Sequence, residues 1–253
     1  MDHQQDRSKW LIVIPARLHS ERLPQKPLAD LAGKPLIVRV YENLTPLAKR
    51  GARIVVALDH KDTALVCEQY KVPFVMTKDS HPSGTDRCDE VAQGNPDRPF
   101  VLNVQGDEPF VSVDDLSLLM TAMETSTHPM GTLGFRRDDW ASYIDPNIVK
   151  IATASDQTAI YFSRAPIPFD RESFRKNEKT VTFTQHQGVY AFRRDRLREF
   201  CGLPASPLEQ TEKLEQLRAI SAGWRIFVAN AKSPSMGIDT PEDLAKAREK
   251  FHV

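Results

Sequence analysis

Arg17, Arg22 and Lys26 place three cations within ten positions, in the run Arg17-Leu18-His19-Ser20-Glu21-Arg22-Leu23-Pro24-Gln25-Lys26-Pro27-Leu28. Arginine offers a bidentate fork to phosphate oxygens and lysine a compact point charge. The run therefore suits a polyanion such as a triphosphate. Pro15, Pro24 and Pro27 fix φ and stiffen it, which lowers the ordering cost of binding. It carries neither the Walker A pattern nor the Gly-x-Gly-x-x-Gly dinucleotide turn.

Two carboxylates could hold a hard cation. Asp107 lies in Asn103-Val104-Gln105-Gly106-Asp107-Glu108-Pro109, and Asp239 in Gly237-Ile238-Asp239-Thr240-Pro241-Glu242-Asp243. Mg²⁺ prefers one or two carboxylates plus substrate phosphates. Each aspartate also fits a plainer role, a turn at 107 and helix capping at 239. Ser83-Gly84-Thr85-Asp86-Arg87 offers hydroxyls and a glycine ahead of a helix, suited to a cap or to reading a base edge. Arg164 could clamp a substrate carboxylate. His186 and Tyr190 stand four apart in a strand-like segment and so share a face. His19, His60, His81 and His128 read as structural.

The elements that must position these groups alternate. Apolar β-rich runs at residues 10–14, 53–58, 72–76 and 100–104 are separated by helical patterns at 35–48, 62–70 and 87–92. This reads as βαβ units on a parallel sheet, and the continuous Val/Ile/Leu runs predict a sheet covered on both faces. Arg17 and Asp107 then fall just past strand ends, where open α/β sheets bind ligands. A helix is predicted at 114–125. From about residue 130 the pattern shifts to strands at 131–135, 148–153 and 181–192, separated by charged, proline-bearing loops at 167–170 and 171–179. Residues about 130–195 read as an inserted subdomain or dimer arm within a single domain spanning 9–253, preceded by a polar tail at 1–8. One helix over 208–222, a strand at 225–229 and a last helix capped by Thr240 complete the expectation.

The chain has 253 residues, with 34 basic and 34 acidic side chains. A net charge near zero argues against a dedicated nucleic-acid binder. Cys67, Cys88 and Cys201 form no Cys-x-x-Cys pair, which disfavours a zinc knuckle or redox motif and suits reduced thiols. The N-terminal segment is polar, and no stretch approaches the roughly 18 apolar residues of a membrane span. A soluble, cytoplasmic protein is expected.

Six blocks together resemble the 3-deoxy-manno-octulosonate cytidylyltransferase family, the CMP-Kdo synthetases of lipopolysaccharide biosynthesis. They are Pro15-Ala16-Arg17…Ser20…Arg22-Leu23-Pro24…Lys26-Pro27-Leu28, Ser83 to Arg87, Asn103 to Pro109, Tyr161-Phe162-Ser163-Arg164-Ala165, Leu214-Glu215-Gln216-Leu217-Arg218, and Asp239 to Asp243. The resemblance implies a Rossmann-like nucleotidyltransferase core with an inserted β-rich dimerisation arm, a homodimer, and Mg²⁺-dependent conversion of CTP and Kdo to CMP-Kdo and pyrophosphate. It implies that Arg17, Arg22 and Lys26 hold the CTP phosphates. Ser83, Gly84 and Thr85 would sit by the cytosine, and Gln105 beside nucleotide and sugar. Asp107 and Asp239 would ligate Mg²⁺, and Arg164, His186, Tyr190, Glu215 and Gln216 would line the sugar-acid site. No side chain stands out as a general base, so metal-assisted deprotonation of the sugar hydroxyl is expected.

The sequence departs from the family pattern at Leu18, where an aromatic is usual, at Gln25, where glycine is usual, at Leu58 in place of threonine, and at Gln185, where a basic residue usually precedes the histidine. The last change raises 8-amino-3,8-dideoxy-manno-octulosonate as an alternative sugar. CMP-sialic acid synthesis and a non-catalytic CTP-binding role are rival readings. The first fits the later blocks poorly, and a pure binder need not keep Lys26, Asp107 and Asp239.

Overall fold

The computed structural model describes residues 6–176 and 179–251. The alternating first half forms β1 (Trp10–Ala16), a small hairpin of β2 (Asp30–Leu31) and β3 (Lys34–Pro35), α1 (Leu36–Lys49), β4 (Arg53–Leu58), α2 (Lys61–Gln69), β5 (Phe74–Met76), α3 (Gly84–Gln93), β6 (Phe100–Val104) and α4 (Val113–Thr125). The second half forms β7 (Met130–Asp139), α5 (Trp140–Ile144), β8 (Lys150–Thr153), β9 (Ala159–Ser163), α6 (Arg171–Lys176), β10 (Thr180–Arg193), α7 (Arg194–Gly202), α8 (Pro207–Glu212), α9 (Leu217–Ser221), β11 (Ile226–Ala231) and α10 (Pro241–Phe251).

The main sheet runs β11-β7-β10-β6-β1-β4-β5. Pairing is parallel between β5 and β4, β4 and β1, β1 and β6, and β7 and β11. Strand β10 alone on this path runs against its neighbours. The sheet is thus mainly parallel and flanked by helices, the expected Rossmann-like core. Strand alternation explains the two-sided cover: Trp10, Ile12 and Ile14 enter one apolar cluster with α1 and α4, while Leu11 and Val13 enter a second with α3, α7 and α9.

Residues expected as an inserted arm contribute β7 and β10 to the main sheet itself. Only β8 and β9 extend beyond it, paired through β10. The segment 171–179, read as a connecting loop, forms α6 over Arg171–Lys176, and residues 177–178 lie outside the described residues. The expected polar tail ends earlier than residue 8. Arg7 is fully buried, its N–H donates to the Arg50 carbonyl at 2.7 Å, and its guanidinium donates to Glu124 at 3.1 Å.

The predicted helix at 208–222 is two short helices. Lys213 takes a left-handed conformation, φ 54°, and closes α8, whose start is held by the Ser206–Glu209 capping box. A residue with positive φ stops helical propagation whatever its intrinsic propensity. The break places Glu215 and Gln216 between α8 and α9.

Candidate active site

The order β4-β1-β6 reverses direction at β1, because the chain leaves to β4 on one side and returns to β6 on the other. A crevice outside the carboxyl ends of two such strands is the expected ligand position in this fold. A cleft of about 250 Å³ lies there, lined by Arg17, His19, Ser20 and Lys26 after β1, by Gln105, Gly106 and Asp107 after β6, and by Gly84 at the start of α3. Pairing of β1 with β6 ends at Val13, so Pro15 lies past the ladder on that side and its missing N–H breaks none of it. Gly106 serves packing: a Cβ there would come within 2.8 Å of the Pro15 carbonyl oxygen. That contact fixes how closely the β6 loop approaches β1.

Lys26 Nζ donates to Asp107 Oδ2 at 2.5 Å and to Asp239 Oδ1 at 3.0 Å, and the Arg22 guanidinium stands 3.1 Å from the same Asp239 oxygen. The two carboxylates, 132 positions apart in the chain, thus converge on one cation. Burial works against the Lys26 charge, but Asp107 and Asp239 outweigh it and hold the ammonium above its ordinary pKa. The Asp239 loop is anchored by α10, where Thr240 and Asp243 cap each other reciprocally at 3.0 and 3.2 Å, as its sequence predicts. Ile238 N–H also donates to the Asp107 carbonyl at 2.9 Å and ties the two carboxylate loops together. Beside them Glu108 accepts from Ser235, and burial together with Asp107 pushes its carboxyl up to about 7.

Gln25, directly before Lys26, is exposed and left-handed, φ 52°. Its position is one that glycine occupies without steric cost. Arg17 Nη2 donates to the His81 carbonyl at 2.7 Å, and Leu18 N–H donates to Asp59 at 3.1 Å. Leu18 and Leu58 are buried apolar residues.

The hydroxyls of the 83–87 block are engaged within the chain. Ser83 caps α3, accepting from the N–H groups of Thr85 and Asp86. Thr85 Oγ1 donates to Glu215 Oε2 at 2.7 Å. Gly84 alone of the three lines the cleft. From Gln105 a polar path runs inward: Gln105 Nε2 donates to Asn103 at 3.1 Å, Asn103 Nδ2 to Thr85 Oγ1 at 3.3 Å, and Thr85 to Glu215. Next in sequence, Gln216 accepts from the Tyr190 hydroxyl at 2.9 Å. The His186 ring lies 5.5 Å from the Tyr190 ring and 5.1 Å, edge-on, from Phe162. Gln105, Asn103, Thr85 and Glu215 thus form one hydrogen-bonded path, and the Gln216–Tyr190 pair adjoins it through the chain at Glu215. Glu215 Oε1 and Gln216 Nε2 are buried along it with no partner among the described residues. Burial pushes the Glu215 carboxyl up against the pull of the Ser83 and Thr85 hydroxyls, and it pushes the Tyr190 phenol up as well.

Thr132 Oγ1 stands 2.7 Å from the Val189 carbonyl and 2.9 Å from His186 Nε2. A carbonyl only accepts, so the single hydroxyl hydrogen goes to it and His186 Nε2 carries the ring proton. Burial lowers the His186 pKa to about 3, so the ring is neutral with Nδ1 as an acceptor. Gln185, the next residue back, accepts from Arg137 at 2.8 Å. Strand alternation sends it to the opposite face from His186. Arg164 acts as a strut in this structure, its guanidinium donating to the carbonyls of Glu212 at 2.8 Å and Pro146 at 3.0 Å.

Sequence reasoning missed three supporting groups. Asn103 was legible as a polar residue inside an apolar strand. Thr132, on β7, carried no signal. The buried Arg87 stood in the Ser83–Arg87 block, read for its hydroxyls, and its partner Asp59, 3.2 Å away, lies just past the strand predicted at 53–58.

A cytidylyltransferase family profile matches residues 11–229. The chain is 42% identical over 249 residues to the 3-deoxy-manno-octulosonate cytidylyltransferase of Herminiimonas arsenicoxydans, covering 96% of this chain and 98% of that protein. It is 40% identical to the enzyme of the same name from Pseudoalteromonas translucida, covering 94% and 96%. Among solved structures, a CMP:2-keto-3-deoxy-manno-octonic acid synthetase complexed with CTP superposes with a TM-score of 0.87 at 38% identity, over 97% of this chain and 99% of that one. HddC from Yersinia pseudotuberculosis, at 16% identity and a TM-score of 0.65, shares the fold.

Proposed function

This chain belongs to the cytidylyltransferase family, and from that premise we propose that the cleft described above joins CTP to Kdo, giving CMP-Kdo and pyrophosphate. The observation that carries the reading is the convergence of Asp107 and Asp239 on Lys26, at the edge of a cleft lined by Arg17 and Gln105. The sugar 2-hydroxyl attacks the α-phosphorus, the new O–P bond replaces the bond to the β-phosphate oxygen, and pyrophosphate leaves. Such a transfer needs positioning and charge neutralisation more than covalent help. Arg17, Arg22 and Lys26 hold the triphosphate and balance the charge that grows on the departing pyrophosphate. The Gly84 backbone, presented by the Ser83 cap, faces the base. Gln105 sits where nucleotide and sugar meet. Neutral His186 accepts a sugar hydroxyl through Nδ1, and Glu215, Gln216 and Tyr190 complete the sugar wall. Arg164, held by the two carbonyls, faces the sugar carboxylate.

The donor set fits Mg²⁺: two carboxylate oxygens already share one cation, and the substrate would add phosphate oxygens. Held by Asp107 and Asp239, Mg²⁺ would neutralise phosphate charge and lower the pKa of the attacking hydroxyl.

We further propose a homodimer. Phe169 and Phe174 are 62% and 65% exposed with their rings 5.2 Å apart, and Ile160 on β9 is 59% exposed. Paired exposed aromatics of this kind suit a protein interface. Light scattering of the purified protein reads this directly. No helix among the described residues is long and apolar enough to cross a membrane. Three free cysteines suit the reducing cytoplasm, where we place the enzyme.

Pyrophosphate release from CTP and Mg²⁺, assayed separately with Kdo and its 8-amino analogue, tests the reading. Release with Kdo is expected. Release only with the amino sugar moves the specificity and keeps the mechanism. Silence with both, despite CTP binding, overturns the enzymatic assignment.

A further inference from the structure

We propose that Lys26 is an internal cation with two exclusive seats, and that its exchange makes metal binding wait for the nucleotide. This rests on the metal and phosphate assignments made above. In this structure the Lys26 ammonium bridges Asp107 and Asp239, and Arg22 stands on the same Asp239 oxygen. Two positive side chains thus balance two negative ones. A divalent ion entering between these carboxylates meets the ammonium at contact distance from both oxygens. It must expel that ammonium or forfeit a ligand. Burial of Lys26 sharpens the competition, because its side chain is 18% exposed and charges out of water repel more strongly.

The triphosphate resolves the conflict. It brings several negative charges to the segment that carries Arg17, Arg22 and Lys26, and offers the ammonium an alternative seat. Lys26 opens a single 3-10 turn over Lys26–Leu28 and follows an exposed, left-handed residue, so it lies outside the sheet, and its flexible four-carbon stem can swing from the carboxylates toward bound phosphate. Once the Lys26 ammonium and the Arg22 guanidinium both move to phosphate, Asp107 and Asp239 lose their internal partners and become two open anionic ligands. The nucleotide thereby creates the metal site instead of merely adding ligands to it. Loading is ordered: nucleotide displaces lysine, and the metal follows or arrives already bound to phosphate.

Mn²⁺ binding, read by the loss of free Mn²⁺ electron-paramagnetic-resonance signal with no nucleotide present, tests the exchange on the whole chain. The wild type is expected to bind Mn²⁺ weakly, and Lys26→Gln at least tenfold more tightly. Adding Asp107→Asn to Lys26→Gln should abolish the gain, which ties it to this carboxylate pair. Lys26→Met, which removes the charge with a different shape, should reproduce it. Equal affinity in wild type and both Lys26 variants would overturn the proposal, as would a gain that survives Asp107→Asn. Circular dichroism confirms that the variants compared are folded. Pyrophosphate release by the wild type is a separate measurement. An active wild type with no change in Mn²⁺ affinity sinks the exchange alone, whereas an inactive wild type sinks the function.

Discussion

Removing the charge of Asp59 should destabilise the protein strongly, because Asp59 is the counter-ion of a buried arginine. Arg87 is fully buried on α3, its Nη2 stands 3.2 Å from Asp59 Oδ2, and its Nη1 donates to Thr77. Burial pulls the Arg87 pKa down and Asp59 opposes that pull. The other oxygen, Oδ1, accepts the Leu18 N–H at 3.1 Å, in the segment directly after Arg17. Asp59→Asn keeps an acceptor for Leu18 but leaves a buried cation unpaired, which costs about 3–5 kcal/mol. Asp59→Ala also orphans the Leu18 N–H, adding about 1–3 kcal/mol. A loss of about 3 kcal/mol lowers Tm by roughly 6–12 °C in a domain of this size. Removing the cation as well, in Asp59→Asn with Arg87→Met, should recover more than half of the loss. Urea denaturation at neutral pH measures all three variants. The functional consequence follows from Leu18: at 25 °C the Asn variant should keep its KM for CTP closer to wild type than the Ala variant does. An Asn variant within 1 kcal/mol of wild type, or a double variant no better than the single, would show that the pair is not the brace described.

Two smaller effects follow from backbone and burial. Gln25 has a left-handed φ of 52° with no side-chain capping bond, so Gln25→Gly should relieve strain and raise stability by about 0.5–1 kcal/mol, read as a small rise in Tm; a fall would mean the glutamine side chain supports the loop. Burial holds the folded His186 pKa at about 3 against 6.5 when exposed, so the stability from its neutral form is complete above pH 6.5 and drains away as pH falls toward 3. At pH 5 that loss is about 2 kcal/mol, and His186→Gln should lose correspondingly less between pH 7.5 and 5 in parallel urea titrations, whereas identical pH slopes would place the ring in solvent.

What was legible in the sequence was the part governed by local pattern. Residues 53–58 and 100–104 read as buried strands and fold as β4 and β6 over the same spans, because continuous β-branched runs leave few alternatives. Thr240, read as the cap of the last helix, accepts the Asp243 N–H there. The positions of Arg17 and Asp107 past strand ends followed from βαβ logic alone. Their distance to Asp239 did not, because it depends on how the last helix packs over the sheet. Two hydroxyls, read from their types as suited to a helix cap or to a base edge, have partners within the chain: Ser83 caps its helix and Thr85 bonds Glu215. Residue type indicates what a side chain can do, and only the neighbours decide which of those options is already taken.

The break at Lys213 carries the same lesson with the largest functional consequence. Residues 208–222 contain enough helix formers to read as one helix with Leu214, Leu217 and Ile220 as its apolar stripe. Had it formed, Glu215 and Gln216 would have lain side by side on helix positions about 100° apart, with their backbone groups tied into the ladder. The left-handed turn at Lys213 instead starts a new helix at Leu217, whose cap is Gln216 itself. Both polar side chains are thereby delivered inward, Glu215 to Thr85 and Gln216 to Tyr190, where β6, β10 and α3 meet. A lysine pays a conformational penalty in that backbone region, so the turn persists only because the buried contacts on either side over-determine it. Local propensity and tertiary demand disagree here, and the disagreement coincides with the wall of the proposed sugar site, as expected where a fold yields local ideality to place a side chain.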